Sequence, residues 1–297
     1  MRVNPNFEPT VVAGIEQTEQ AMQAAEEQVS TGLRVETPSD DPEAAAALVS
    51  NQTETANVDQ YTSNAQTVQA MAEAGGAALS SINTLLTQAI SLGTEGANGT
   101  VSASGQKTIA TQIQGILANV VSDANTTYGG TAVFGGTANP TQAFVADASS
   151  STGYSYQGND GVNAVQVGNV ESVQANIPGS TLFTNTNASV LGSLSQLATA
   201  LEGGNAGEIG TATNAVSSAQ TYLSSQQVVL SNASSQVQSQ ETYLSQEKVT
   251  LSTQENNLIG IDSAAADENL ANAEEQNSSA LAAAAKVLPT TLLDYLK

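Results

Sequence analysis

The stretch "VSSAQTYLSSQQVVLSNASSQVQSQETYLSQEKVTLSTQENNL", Val216 to Leu258, is mostly small and polar, yet an apolar residue returns at every seventh place. Val216, Leu223, Leu230, Val237, Leu244, Leu251 and Leu258 form that row, and Ile209 extends it one repeat upstream. A seven-residue apolar period sustained across residues 209–258, without an internal Pro, predicts a long helix packed along one seam. At 1.5 Å per residue such a helix runs for roughly 75 Å. The companion seam holds Ala212, Ala219, Gln226, Ala233, Gln240, Glu247, Gln254 and Ile261. A leucine row beside small and polar residues suits an antiparallel or multi-helix pack better than a two-stranded zipper.

Working outward from this helix, a second long one opens after Pro42. Its apolar and small positions alternate by three and four: Val58, Tyr61, Ala65, Val68, Ala72, Gly75, Leu79, Ile82, Leu86 and Ala89. It is expected to end near Gly93, before the turn-forming "GTEGANGT". A third helix carries Ile109, Ile113, Ile116, Leu117, Val120 and Val121, and stops before Gly129-Gly130. Near the N-terminus Val11, Ile15, Thr18, Met22, Ala25 and Val29 make a narrow stripe that Gly32 terminates. Near the C-terminus Leu270, Ala273, Asn277, Leu281, Ala284, Leu288, Leu292 and either Tyr295 or Leu296 share another stripe, which Pro289 kinks or restarts.

The middle changes character. Gly, Thr, Asn and Ser rise over 131–188, and alternation replaces the heptads in "GYSYQG", "NAVQVGN" and "ESVQANIPG". This predicts a small β domain inserted between helices. "GNDG", 158–161, reads as the hairpin turn joining the first two of these runs.

Composition removes whole classes of function. The 297 residues include no Cys, no His and no Trp, and aromatics are 4%. Thiol chemistry, thiolate or imidazole metal sites and Ser-His-Asp triads are therefore unavailable. Six basic residues stand against 28 acids, for a net charge of -22. Nucleic acid and anionic membrane surfaces are not expected partners of such a chain. The most apolar stretch, "SALAAAAKVL", is too short to span a bilayer. The opening "MRVNPNFEPTVVAGIEQTEQ" lacks an apolar signal core. Asp147, Asp160 and Glu171 are the acids that could serve an enzyme or metal site on the β insert. No spacing pairs them, and "NDG" is a common turn. No enzyme activity and no cofactor is expected.

Neither terminal helix is wide enough to be stable alone. Paired with each other they still bury little, and exposed apolar rows mark a partner surface. The sequence therefore predicts ends that order on assembly. Ile15, Met22 and Val29 on one side, with Leu281, Leu288, Leu292 and Leu296 on the other, are the candidate subunit interface.

The densest chemistry is "RVETPSDDPEAAA", 34–46. Its acids read as architecture. Asp40 or Asp41 can cap the second helix, and with Asp40 as cap Glu43 takes the capping-box position. Pro42 is tolerated in the first turn, and Pro38 keeps Thr37 extended. Carboxylates here also suit the positive pole of the helix. Arg34 is the basic residue placed to tie this joint to an acid.

The layout resembles the flagellin family. "MRVNPNF" (1–7) is similar to that family's opening. "STGLRVETPSDDPEAAA" (30–46) resembles its signature, with Thr31 before Gly32 where Ser is usual. "LANVVSDANTTYGGTAVFGGT" (117–137) is similar to the end of its third helix and the turn beyond. "YSYQGNDGVNAVQVGNVESVQANIPGSTLF" (154–183) and "LLDYL" (292–296) resemble the branch at the hook–filament junction rather than the filament subunit. The resemblance implies a mainly α, flagellin-like fold. Residues 1–38 and 262–297 would form the terminal, tube-lining assembly helices. Residues 39–130 and 189–261 would form the long-helix core, an antiparallel coiled-coil-like bundle whose core row includes Leu223, Leu230, Val237, Leu244, Leu251 and Leu258. Residues 131–188 would be the outer β domain. It also implies a secreted structural protein of the bacterial flagellum, exported without a cleaved signal. Its partners would be copies of itself, another hook-associated protein, hook or flagellin subunits, and an export chaperone. The stretch 32–43 would be the joint between the terminal helix and the outer domain.

Overall fold

The computed structural model describes residues 7–186 and 188–287. Long helices dominate it, with short strands between them. Helix α1 is Phe7–Thr31, α2 Pro42–Gly96 and α3 Ala103–Ala124. Strands β1 (Thr127–Tyr128), β2 (Thr131–Ala132), β3 (Phe144–Ala146), β4 (Tyr154–Tyr156), β5 (Ala164–Gln166) and β6 (Ser172–Gln174) follow. Then come α4 (Gly179–Phe183), α5 (Val190–Gly203), α6 (Ala206–Ile259) and α7 (Ser263–Val287). The mainly α architecture with small sheets is the one the heptads and the resemblance predict. The chain divides into two compact units, Met1–Asn57 with Glu247–Lys297, and Val58–Gln246.

Within the unit 58–246 the heptad row of α6 is the spine of the core. Ile209, Val216, Leu223 and Val237 are fully buried, and Leu230 and Leu244 nearly so. Ile209, Val216, Leu223 and Leu230 pack with Leu79, Ile82 and Leu86 of α2 and with Ile113 and Val120 of α3, while Val237 joins a second cluster with Ala65 and Val68 of α2 and Val167 and Val173 of the insert. Polar groups cross-link α2 and α6 beside this seam. Asn83 donates to Ser224 Oγ at 3.0 Å, and Ser234 donates to Gln69 Oε1 at 2.9 Å. As the α2 position climbs the α6 partner descends, so the pair is antiparallel. Helix α3 starts where Ser102 accepts from Gly105 N at 3.2 Å, an N-cap. Helix α5 is an element that the sequence reading left inside the core segment without naming. Ser189 caps it, Leu191, Leu194, Leu197 and Leu201 are fully buried, and Gly204 ends it in the left-handed region at φ 73°. Two glycines of α2 permit close helix contact. A Cβ at Gly93 would collide with Thr213, and one at Gly96 with Leu201.

The β insert is three separate two-stranded antiparallel hairpins, β1–β2, β3–β4 and β5–β6. This corrects the turn assignment at 158–161. Tyr154–Tyr156 pairs with Phe144–Ala146 through the loop 147–153, and Ala164–Gln166 pairs with Ser172–Gln174. "GNDG" instead links two hairpins. Asn159 Oδ1 there accepts from Thr137 N at 2.8 Å and from Gly161 N at 3.1 Å, so the amide organises a long-range loop contact. The hairpins are anchored by side chains. Tyr156 donates to Phe134 O at 2.8 Å, and its ring packs on Phe144, itself edge-on to Phe183. Asn125, just past α3, donates to Phe144 O and accepts from Phe144 N, both at 2.8 Å.

Within the unit 1–57 with 247–297, α1 and α7 pack antiparallel, as do the first part of α2 and the last part of α6. The α1 stripe is narrow. Val11, Ile15, Thr18 and Met22 are half-buried and Ala25 is buried, but Val29 is exposed. On α7 the inner face runs through Ala266, Leu270, Ala273, Asn277, Ala280 and Ala284. Leu281 is not on it: it is 48% exposed, so the stripe passes through Ala280 instead. After Asn277 both positions lie within the helical repeat, and the smaller residue lets the backbones come closer. Leu288, Leu292 and Leu296 lie outside the described residues.

Candidate functional site: the terminal helix pair and its joint

Helix α1 stops because its chain end satisfies itself. Gly32 N donates to Gln28 O at 2.9 Å with φ +70°, a conformation that glycine takes without Cβ strain. The next residues form one antiparallel rung with the chain leaving α6. Leu33 bridges Gly260, Arg34 N donates to Ile259 O at 2.6 Å, and Ile261 N donates to Gly32 O at 3.1 Å. The exit of α1 is thereby tied, backbone to backbone, to the entry of α7.

Arg34 adds the side-chain half of the joint. Its Nη2 donates to Leu258 O at 2.8 Å, and its Nη1 meets Asp41 Oδ2 at 3.1 Å. Leu258 O belongs to the last turn of α6, where a cation suits both the orphan carbonyl and the negative pole. Asp41 belongs to the first turn of α2, where an anion suits the positive pole. One guanidinium thus joins the C-terminal end of one long helix to the N-terminal end of the other.

The two aspartates divide the capping work. Asp41 is the N-cap: its Oδ1 accepts from Ala44 N at 3.0 Å, and Pro42 follows at the first helical position. With Asp41 as cap, Glu43 falls one place short of the capping-box position, so the Asp40–Glu43 box is corrected to a single cap with an acid in the first turn. Asp40 looks the other way. Its Oδ2 accepts from Thr37 N at 2.8 Å and Glu36 N at 3.1 Å, and its own N donates to Thr37 O. It closes the turn that Pro38 initiates. The Thr37 N–H holds the Asp40 carboxyl below the ordinary aspartate range. The Ala44 N–H, and after it the Arg34 guanidinium, do the same for Asp41. Glu27, in the last turns of α1, moves oppositely: hydrogen bonding to and repulsion from Glu36 raise it.

Along the pair itself Thr18 donates to Asn277 Oδ1 at 3.3 Å, and Asn277 Nδ2 approaches Met22 Sδ at 3.5 Å. Met22 therefore spends part of its surface on α7 of the same chain, and Ile15 is half-buried. Val12, Val29 and Leu281 keep theirs outward. Leu223, Leu230, Val237, Leu244 and Leu251 are buried as their heptad spacing requires, and Leu258, beside the joint, is half-buried. Sequence reading missed two buried amides, Asn51 and Asn277, as chemistry. Asn51 was legible as the polar exception in a seven-residue row that includes Ala44, Val58 and Ala65.

The acids of the insert hold loops. Asp147 Oδ1 accepts from Ser149 N at 2.9 Å, Asp160 accepts from Ser180 Oγ, and Glu171 accepts from Gln236 Nε2. Each has a different neighbour. Among the described residues no three acids gather where they could hold a metal, and no helix is long and apolar enough to cross a membrane.

Residues 9–139, from α1 through the first hairpin, match the family profile of the bacterial flagellin N-terminal helical region. This part of the chain is similar to the flagellin N-terminal helical region. Solved structures extend the likeness to between 68% and 74% of the chain. A Vibrio parahaemolyticus protein assigned as flagellar hook-associated superposes with a TM-score of 0.66 at 20% identity, over 74% of this chain and 100% of that one. Flagellar hook associated protein-3 from Legionella pneumophila gives 0.64 at 14% identity, over 70% and 98%. FlgL from Xanthomonas campestris gives 0.62 at 15%, over 68% and 98%. No curated protein matches by sequence. The fold is thus that of the flagellar hook-associated proteins, and residues 9–139 are the part that the flagellin profile matches.

Proposed function

We propose that this chain is a structural subunit of the bacterial flagellum, an adaptor at the junction of hook and filament. The observation that carries the reading is the antiparallel pairing of α1 with α7, closed by the rung at 32–34 and 259–261, on a chain whose residues 9–139 match the flagellin helical region. Such a pair brings the N-terminal and C-terminal helices together, as a subunit that assembles through its terminal helices requires. Its work is mechanical, and no catalytic step is assigned to it. The assembly surface would use the outward face of the pair, including Val12, Val29 and Leu281, together with Leu288, Leu292 and Leu296 beyond the described helix. Ile15 and Met22 contribute from the half-buried seam. The partners would be further copies of this chain, another hook-associated protein and hook or flagellin subunits, with a chaperone during export. The protein would act outside the cell, after export without a cleaved signal.

The nearest competing reading is the filament subunit, since the family match is to flagellin. Copy number in purified flagella separates the two. A junction adaptor is scarce and a filament subunit dominates. Removing residues 270–297 tests the assembly surface: the truncated chain should keep its outer unit folded and fail to support filament attachment. Filament attachment by that truncation would overturn the assignment.

A further inference from the structure

Two asparagines sit inside helix seams that are otherwise apolar. Asn51 is 7% exposed and occupies a heptad row of α2 whose neighbouring members, Ala44, Val58, Ala65, Ala72 and Leu79, are all buried. Asn277 is 8% exposed and lies on the α7 face formed by Ala266, Ala273 and Ala284. Neither is well satisfied. Asn51 Nδ2 donates to Leu251 O at 3.1 Å and reaches Gln254 Oε1 only at 3.4 Å. Its Oδ1 is buried with no hydrogen-bond partner among the described residues. Asn277 Oδ1 is offered the Thr18 hydroxyl at 3.3 Å, but that single proton has a shorter acceptor in Ile15 O at 2.9 Å. Its Nδ2 meets only the thioether of Met22, a weak acceptor. A buried amide held this loosely lowers stability relative to an apolar residue of similar size.

We propose that Asn51 and Asn277 are pairing-specificity residues. Each sacrifices stability so that its helix accepts one partner in one register and rejects the matching seam of a second copy of this chain. The physical need follows from the rows themselves. Alanine, valine and leucine repeating every seven residues are interchangeable contacts, so a seam slid by one heptad, or paired with another copy, is almost as well packed. An asparagine breaks that degeneracy. In the native register Asn51 finds the Leu251 carbonyl and the Gln254 amide, and Asn277 finds Thr18 and Met22. Shifted by one heptad, Asn277 would face Val11 and Ile15, or Ala25 and Val29, in place of Thr18 and Met22, and Asn51 would exchange the neutral amide of Gln254 for Ile261 or for the carboxylate of Glu247. A single polar residue in a helix seam sets register and partner number by this route. The inference concerns pairing within and between copies and goes beyond the junction reading.

The test replaces each amide in the full chain, as Asn51→Val and Asn277→Val, with Asn51→Ala and Asn277→Ala made in parallel in case the added volume prevents folding. Thermal unfolding gives stability and sedimentation velocity gives the assembly state over a range of protein concentrations. The proposal expects a melting temperature several degrees above that of the parent and self-association at concentrations where the parent is monomeric. A variant that melts lower than the parent shows that the amide is a net stabiliser, and overturns the proposal. A variant that melts higher yet stays monomeric wherever the parent does also overturns it, because specificity then owes nothing to the asparagine.

Discussion

Arg34 touches two helix ends with one side chain, and its replacement separates the two jobs. Arg34→Lys keeps a charge near Asp41 but loses the planar fork that reaches Leu258 O as well. Because the pair is exposed, the expected effect is no more than a small shift of the urea midpoint. Asp41→Ala removes the cap of α2 and should lower the melting temperature more than Asp40→Ala, which opens only the turn. The carboxyls here also give the joint a pH signature. Asp40 and Asp41 are lowered by folding, so their contribution is complete above the ordinary aspartate value of 3.8 and is lost as pH falls below it. Glu27 is raised, so its contribution is present below the ordinary 4.5 and disappears as pH rises through the raised value. Glu27→Gln should therefore raise the melting temperature at neutral pH and leave it unchanged near pH 3. An equal gain at both pH values would show that Glu36 is not the cause. Sequence alone identified the cluster, the two prolines and the Arg34 tie. It left the capping aspartate open, because both candidates precede the same proline and only the path of the chain decides which carboxylate faces Ala44.

At the scale of elements, the long helices were legible and the hairpins were not, for a common reason. A seven-residue row over 209–258 repeats one demand eight times, and α6 buries that row nearly throughout. Strands of two or three residues repeat nothing, and their pairing depends on which segment the chain brings alongside. The run at 153–158 looked forward to 163–169 across "GNDG" but pairs backward with Phe144–Ala146. Leu281 failed for a different reason. The helical repeat leaves 280 and 281 nearly equivalent, and close packing chose the alanine. The row itself is testable. Leu223 is fully buried, and Leu223→Ala should cost about 2–5 kcal/mol in chemical denaturation. Gly93→Ala, which drives a methyl into Thr213, should cost about 1–3 kcal/mol, although alanine is the better helix former. A neutral result at Gly93 would mean that α2 and α6 do not approach closely there.

For the whole molecule, charge and the terminal pair dominate. With a net charge of -22, the folded chain repels itself and its copies at low ionic strength. Moderate sodium chloride should raise the melting temperature and ease self-association, since screening shortens the reach of that repulsion to about 8 Å at physiological salt. A melting temperature that falls with salt would show that attractive pairs outweigh the excess charge. Composition made the absence of thiol and imidazole chemistry legible, and the resemblance at 30–46 supplied the joint. Neither could say that α1 and α7 partly satisfy each other within one chain, because a stripe shows only that it is buried and not by what. That self-pairing leaves Val12, Val29 and Leu281 exposed. The central claim is that this chain joins filament to hook. Electron microscopy of cells lacking its gene tests this most directly. The account predicts complete hooks with no filament attached, and filaments restored by the full chain but not by one ending at residue 269. Filaments of normal length on the deleted cells would contradict it.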